Sequence, residues 1–369
     1  MTCQLFGDAS AAKRFASGSN GSYGPLEVNE NVILDLPPDG IFHCTTIHVG
    51  TNGVLRFNRN AANTPVYLLA MGDVRIEGSI TLNGGDVGPY KAGKGGPGGF
   101  DGGETSTSAA ATHISNGVSP GGAGYGPGGG RCCGVAGSYA TGESPYGNTL
   151  LTPLIGGSGS AGYVALTPYG GAGGGGAILI SSDSVLTLNG QILAIGGAGA
   201  QYSSNAGSGG AVRLIAPKVQ GNGSIATWGG PCQYCDVGGL GRIRIDTLNA
   251  FDLNFKYGGV VRQGREMYVF APNNPRLEIF EAAGVPIADG AAGVVNIQLP
   301  PSASTNQTVK IRAYNFSGRI PLEVVVVPDD GLAFKANSEF EGNSTGPVEI
   351  TVTVNLLPDR NSRIQAWTR

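Results

Sequence analysis

The sequence predicts an all-β chain: a parallel, right-handed β-helix solenoid with long glycine-rich excursions, followed by a small β-sandwich. Three observations carry this. Segments of about twenty residues repeat almost residue by residue, apolar residues alternate at period two within each copy, and glycine tracts fall between copies rather than inside them.

The copies run 66–85 (VYLLAMGDVRIEGSITLNGG), 177–197 (AILISSDSVLTLNGQILAIGG) and 211–230 (AVRLIAPKVQGNGSIATWGG). A fourth, 242–259 (RIRIDTLNAFDLNFKYGG), keeps the opening strand and the closing glycine pair, and 41–57 (IFHCTTIHVGTNGVLRF) is a weaker preceding copy. The alignment places Tyr67, Ile178, Val212 and Ile243 at one inward position and Leu69, Ile180, Leu214 and Ile245 at the next. Val74, Leu186 and Val219 match after a break, and Ile80, Ile192 and Ile225 match after Gly78, Gly190 and Gly223. A glycine recurring at one place fits a corner that needs positive φ or close backbone approach. A unit this short cannot bury its apolar face alone, so the copies stack and pair in parallel.

The body spans 32–271, preceded by an N-terminal cap or joint, 1–31. Its glycine-rich excursions, 86–176, 198–210 and 231–241, all leave after a closing Gly-Gly and so emerge on one side. Two readings of the long first excursion stand: a low-complexity flap, or extended polyproline-II-like strands packed side by side and anchored by Tyr90, Phe100, Tyr125, Tyr139, Tyr146 and Tyr163. The sparse aromatic spacing favours packing. From Leu277 glycine thins and short alternating strands (LEIFEA, VVNIQL, TVKIRAYNF, LEVVVVP, VEITVTVNL) mark 272–369 as a sandwich of immunoglobulin-like size, suited to covering an exposed end of the stack.

Composition narrows the function. Glycine supplies 65 of 369 residues, without the three-residue period of collagen. A net charge of -3, from 23 Lys and Arg against 26 Asp and Glu, leaves no basic excess for nucleic acid. No apolar run is long enough to cross a membrane, and the opening MTCQLFGDASAAKRFASG lacks a signal-peptide core. The even cysteine count, Cys3, Cys44, Cys132, Cys133, Cys232 and Cys235, fits disulfides and an extracellular or cell-surface location. Cys132 and Cys133 lie in the first excursion and Cys232 and Cys235 in the third, on the same side, so a disulfide tying these loops is expected. A four-thiolate zinc site is disfavoured because Cys132 and Cys133 are adjacent.

No catalytic, cofactor or metal constellation emerges. The acidic candidates Asp73, Glu77, Asp183, Asp236 and Asp246 do not stack into a carboxylate pair of the kind glycoside hydrolysis needs. Arg213 and Arg244 align on one outward ladder with Leu68 and Leu179, which reads as a solvated face. His43, His48 and His113 are too scattered for a metal site.

The runs GGAGGGGAILISS, GSGGAVRLIAPKVQGNG and GGLGRIRID, with ANTPVYLLAMGDVRIEGSITLNGG, resemble a group of glycine-rich bacterial surface or secreted proteins over residues 40–246. The resemblance implies a secreted repeat protein with a β-helical body and supplies no catalytic residues. The expected function is a structural subunit of an extracellular filament, sheath or matrix, a homopolymer joined through 1–31 and the C-terminal sandwich. The first alternative is an adhesin or phage-type receptor-binding protein that takes surface glycans on Tyr202, Trp228 and Tyr234. The second is a polysaccharide-cleaving enzyme.

Overall fold

The computed structural model describes residues 15–89, 91–103, 119–120, 124, 126–127, 147–164, 169–200, 206–232, 237–249, 253–270, 275–288, 295–328, 334–343, 346–357 and 361–368. The chain is all-β, with no helix among these residues.

The repeats give the first strands in order. β1 (Gly24–Val28) and β2 (Asn31–Asp35) precede β3 (Ile41–Val49) and β4 (Val54–Asn58). The next copy supplies β5 (Val66–Ala70), β6 (Val74–Ile76) and β7 (Ser79–Thr81). The short pair β8 (Ser119–Pro120) and β9 (Tyr163–Val164) lies in the first excursion. Then come β10 (Ala177–Ser182), β11 (Val185–Leu188) and β12 (Gln191–Leu193), followed by β13 (Ala211–Gln220) and β14 (Ser224–Ala226). β15 (Arg242–Asn249), β16 (Lys256–Gly258) and β17 (Val260–Gly264) end the series.

Each repeat pairs in parallel with the next. One sheet runs β2-β4-β7-β12-β14-β16, and Val32, Leu55, Ile80, Ile192, Ile225 and Tyr257 share one column across it. The other contains β1, β3, β5, β6, β10, β11, β13, β15 and β17, the long strands β3 and β13 each pairing with two shorter ones. The inward columns form one apolar core in which Leu55, Ile80, Ile192 and Ile225 are fully buried. Each such side chain contributes about 1.5–3 kcal/mol of hydrophobic stabilisation.

The first copy is offset by one residue from the sequence alignment. Ile178, Val212 and Ile243 share their column with Val66, not Tyr67, and Ile180 stands beside Leu68, not Leu69. All five residues of β5 (VYLLA) are apolar, so alternation alone could not choose the face, and a one-residue slip inverts every side chain. Tyr67 and Leu69 therefore point outward, to a second core with Leu151, Leu154, Leu179 and Ile215 that Phe15, Met267 and Val269 help cover.

The recurrent corner glycines serve close approach rather than positive φ. A Cβ on Gly78 would lie 2.2 Å from the Gly53 carbonyl oxygen, on Gly190 1.9 Å from that of Gly78, and on Gly223 2.4 Å from that of Gly190.

The described residues of the glycine excursions form a hydrogen-bonded layer. Gly93 and Gly96 donate to the carbonyls of Gly171 and Gly174, while Gly171 and Gly174 donate to Gly103 and Phe100. Both series advance by three residues, the period of a polyproline-II chain. The three excursions also meet one another: Gly175 donates to Ser208, Ser208 to Ser158 and Gly209 to Gly239. Here backbone hydrogen bonds between side-chain-free strands do the work that interdigitating side chains do in an ordinary core. Of the aromatics expected as anchors, Tyr90, Tyr125, Tyr139 and Tyr146 lie outside the described residues.

Asp101 ties this layer to the body. Its carboxylate accepts from Arg59 Nη1 at 2.6 Å, the Gly95 N–H at 2.8 Å and Lys94 Nζ at 3.2 Å. Burial alone would push its pKa up, but the Arg59 hydrogen bond and charge, the Gly95 N–H and the Lys94 charge outweigh this and lower it. A carboxylate so depressed adds stability that is fully present above its unfolded pKa of about 3.9 and is lost as pH falls through the lower folded value. The gap in unfolding free energy between the wild type and Asp101→Asn is therefore expected to stay constant from neutral pH to about pH 5 and to close below about pH 4. Denaturant titrations at stepped pH check this.

The C-terminal strands are β18 (Arg276–Ala282), β19 (Val285–Pro286), β20 (Asn306–Tyr314), β21 (Gly318–Pro328), β22 (Phe334–Gly342), β23 (Val348–Asn355) and β24 (Ser362–Thr368). They make two antiparallel sheets, β19-β18-β20-β23 and β22-β21-β24, around one core that includes Val309, Ile311, Val324 and Val352. Trp367 of β24 donates its indole N–H to buried Glu323 at 3.1 Å, and its ring meets Phe100 with centroids 6.0 Å apart. These strands therefore contact the glycine layer. Among the described residues none of them pairs with β16 or β17.

Candidate functional site

Three places concentrate unusual chemistry: a buried arginine cluster, an exposed apolar cleft and the two ends of the stack.

The arginine ladder is not a solvated face. The column runs Tyr67, Leu179, Arg213, Arg244 and Arg262, with Tyr67 rather than Leu68 as the aligned residue. Arg213 is 1% exposed and Asp246 0%. Asp246 accepts from Arg213 Nη2 at 3.1 Å and from Arg244 Nε at 3.0 Å, so one carboxylate holds two guanidinium groups. The hydrogen bond from Arg244 to Asp246 raises the Arg244 pKa further. Arg213 also donates to the Glu266 carbonyl at 3.1 Å and lies 4.9 Å from the centroid of the Tyr268 ring. The segment after β17 is thus strapped across the outer face of the sheet. The sequence does hold a signal for this: Arg242, Arg244 and Asp246 alternate along β15 and so share its outward face.

The other acidic candidates among the described residues make local contacts. Asp183 accepts from the Ser17 N–H, and Asp73 from the Val185 N–H at 3.4 Å. Glu77 accepts from Arg75 at 3.2 Å and contacts His48 at 3.4 Å, and these hydrogen bonds lower its pKa. Asp236 lies outside the described residues. Among the described residues no group of three His, Cys, Asp or Glu side chains is placed to hold a metal.

The cysteines separate. Cys44 is a free thiol on an inward column of β3, fully buried, so its expected pairing is corrected. Loss of solvation pushes its pKa to about 12, which leaves it an unreactive small hydrophobe. Cys232 is disulfide-bonded, its partner lying outside the described residues, as do Cys3, Cys132, Cys133 and Cys235.

Of the three aromatics expected to meet glycans, Tyr202 and Tyr234 lie outside the described residues. Trp228 is 52% exposed, and its indole lies against Gly258, where a Cβ would come within 2.3 Å of the ring. With Ile195, Pro231, Val237 and Leu240 it lines an open apolar cleft at the edge of the glycine layer.

The sequence pointed to the ends of the stack as joints, through 1–31 and the C-terminal sandwich, but neither the first nor the last repeat shows there which strands it lacks. β2 and β16 are the outermost strands of one sheet, and β17 is outermost at the same end of the other. Val32 and Leu34 at one end, and Leu253, Tyr257 and Val261 at the other, pack on the core but stay partly open. Ile33 on β2 is 55% exposed and Val260 on β17 41%. Unpaired strand edges over an apolar core are templates for further strands.

Comparison of the chain with protein-family models, with curated proteins and with solved structures finds no match.

Proposed function

We propose that the stacked repeats are a right-handed parallel β-helix and that the chain is a structural subunit of an extracellular filament, sheath or matrix, polymerising end to end. The observation that carries this reading is the pair of strand edges without a partner strand among the described residues, β2 at one end and β16 with β17 at the other, over core residues left partly exposed. Contacts between two different ends of identical copies do not close on themselves, and they propagate into filaments. An ordered glycine layer and few charged residues suit close lateral packing, and the reading agrees with the resemblance to glycine-rich bacterial surface proteins. Negative-stain microscopy with light scattering on the purified chain tests it. Regular filaments, growing with concentration, are the expected result, and discrete monomers at all concentrations would overturn it.

A second reading, glycan binding, is favoured by Trp228. Lying against Gly258 and half exposed beside an apolar cleft, its ring offers an apolar surface for a sugar. Retention on immobilised polysaccharides that Trp228→Ala abolishes would support this reading over the first.

A further inference from the structure

We propose that the joint between copies is a composite repeat: β17 of one chain lies in the same layer as β1 and β2 of the next. This rests on the filament reading and specifies its interface. It replaces the sandwich, expected from sequence as a joint, with the last strands of the stack.

Each end of the stack lacks part of a repeat. A full repeat contributes a strand to each of three columns, as β5, β6 and β7 do. The first repeat supplies the second and third and reaches only the end of the first. β1 aligns with the second half of β3, through Leu26 beside Ile47 and Val28 beside Val49, and β2 aligns with β4. Gly24 beside Cys44, with the Tyr23 N–H on the His43 carbonyl, leaves the edge at Ile41 and Phe42 for β17. The last repeat supplies only the first: β17 continues β15, through Val261 beside Ile243 and Arg262 beside Arg244. The missing parts are complementary. One incomplete repeat from each copy makes a whole one.

The register follows from the columns already present. Tyr257 closes the column that Val32 opens, so β16 meets β2 of the next copy with Tyr257 beside Val32. Arg262 closes the column that Ile41 opens, so β17 meets the first half of β3 with Arg262 beside Ile41. Every pairing is parallel, as within the chain.

Charge and exposure agree with this joint. The end that carries β16 and β17 presents exposed Lys256, Arg262 and Arg265 against one exposed Glu266, while exposed Glu27, Glu30, Asp35 and Asp39 surround β1 and β2. Of the exposed large apolar residues, Val260 lies on β17 and Trp228 lies against Gly258 of β16. Opposite charges at the two ends of one molecule favour head-to-tail contact over head-to-head.

The test is a charge exchange in the full-length chain. Lys256→Glu and Glu30→Lys are made separately, both at exposed positions, and unchanged thermal unfolding shows that each variant folds. At low salt, where surface charges are least screened, each variant alone is expected to need about tenfold more protein than wild type to form filaments. An equimolar mixture is expected to assemble as wild type does, because every junction between unlike copies restores an opposite pair. Variants that assemble at the wild-type concentration, or a mixture that fails to recover, overturn the joint while leaving the filament reading intact. A wild-type chain that never assembles removes both.

Discussion

Asp246→Ala is expected to destabilise the protein by about 3–5 kcal/mol, the cost of leaving buried guanidinium groups without their carboxylate. Arg213 and Arg244 both direct their donors at this one side chain, which water does not reach. Removing it strands two charges instead of breaking one surface pair. The measurement is urea unfolding, where the midpoint should fall with little change in slope. A second variant separates pairing from packing. Replacing Arg213, Arg244 and Asp246 together by leucine gives their two neighbouring columns the apolar character these have at Tyr67 and Leu179 and at Leu69 and Ile215, and is expected to cost much less than Asp246→Ala alone. A loss at Asp246 below about 1 kcal/mol would mean that the cluster is hydrated.

Gly230→Ala is expected to have an effect of comparable size for a different reason. A Cβ there would lie 1.8 Å from the Gly197 carbonyl oxygen and 2.5 Å from its carbon, both backbone atoms of a strand held on either side. No rotamer relieves such an overlap, so the glycine strands must separate and surrender hydrogen bonds, including that from Gly230 to Gly207. A loss of about 3 kcal/mol or more is expected, at the upper end of overpacking costs. Gly346→Ala is the control: a methyl group there would meet no heavy atom within 4 Å, and a change within about 0.5 kcal/mol is expected. Equal melting temperatures for the two variants would show that the glycine layer is loose in solution.

Much of the architecture was legible in the residues. Period-two alternation with isoleucines at matching places identified the columns Ile80–Ile192–Ile225 and Val74–Leu186–Val219, both found in register. The thinning of glycine and the turn residues between short strands marked the C-terminal sheets. Register failed in β5, where five consecutive apolar residues carry no alternation. Burial of the arginines was hidden because their further contacts come from Thr149, Thr152, Glu266 and Tyr268, in distant segments without periodicity of their own. Composition could not decide whether the glycine tracts were ordered, since the decision rests on backbone hydrogen bonds between chains with no side chains to read. The end joint was illegible for a related reason. Which strand a repeat lacks appears only once the columns are laid side by side.

The measurement that tests the account most directly is the axial rise per subunit in a helical reconstruction of the assembled filament. With the incomplete end repeats sharing one layer, each copy advances the stack by six layers. At about 4.8 Å between paired strands this gives a rise of about 29 Å with unbroken parallel pairing across the joint. A filament with a rise far from this value, or a joint made by the C-terminal strands with the edges of β2 and β17 left free, would contradict it.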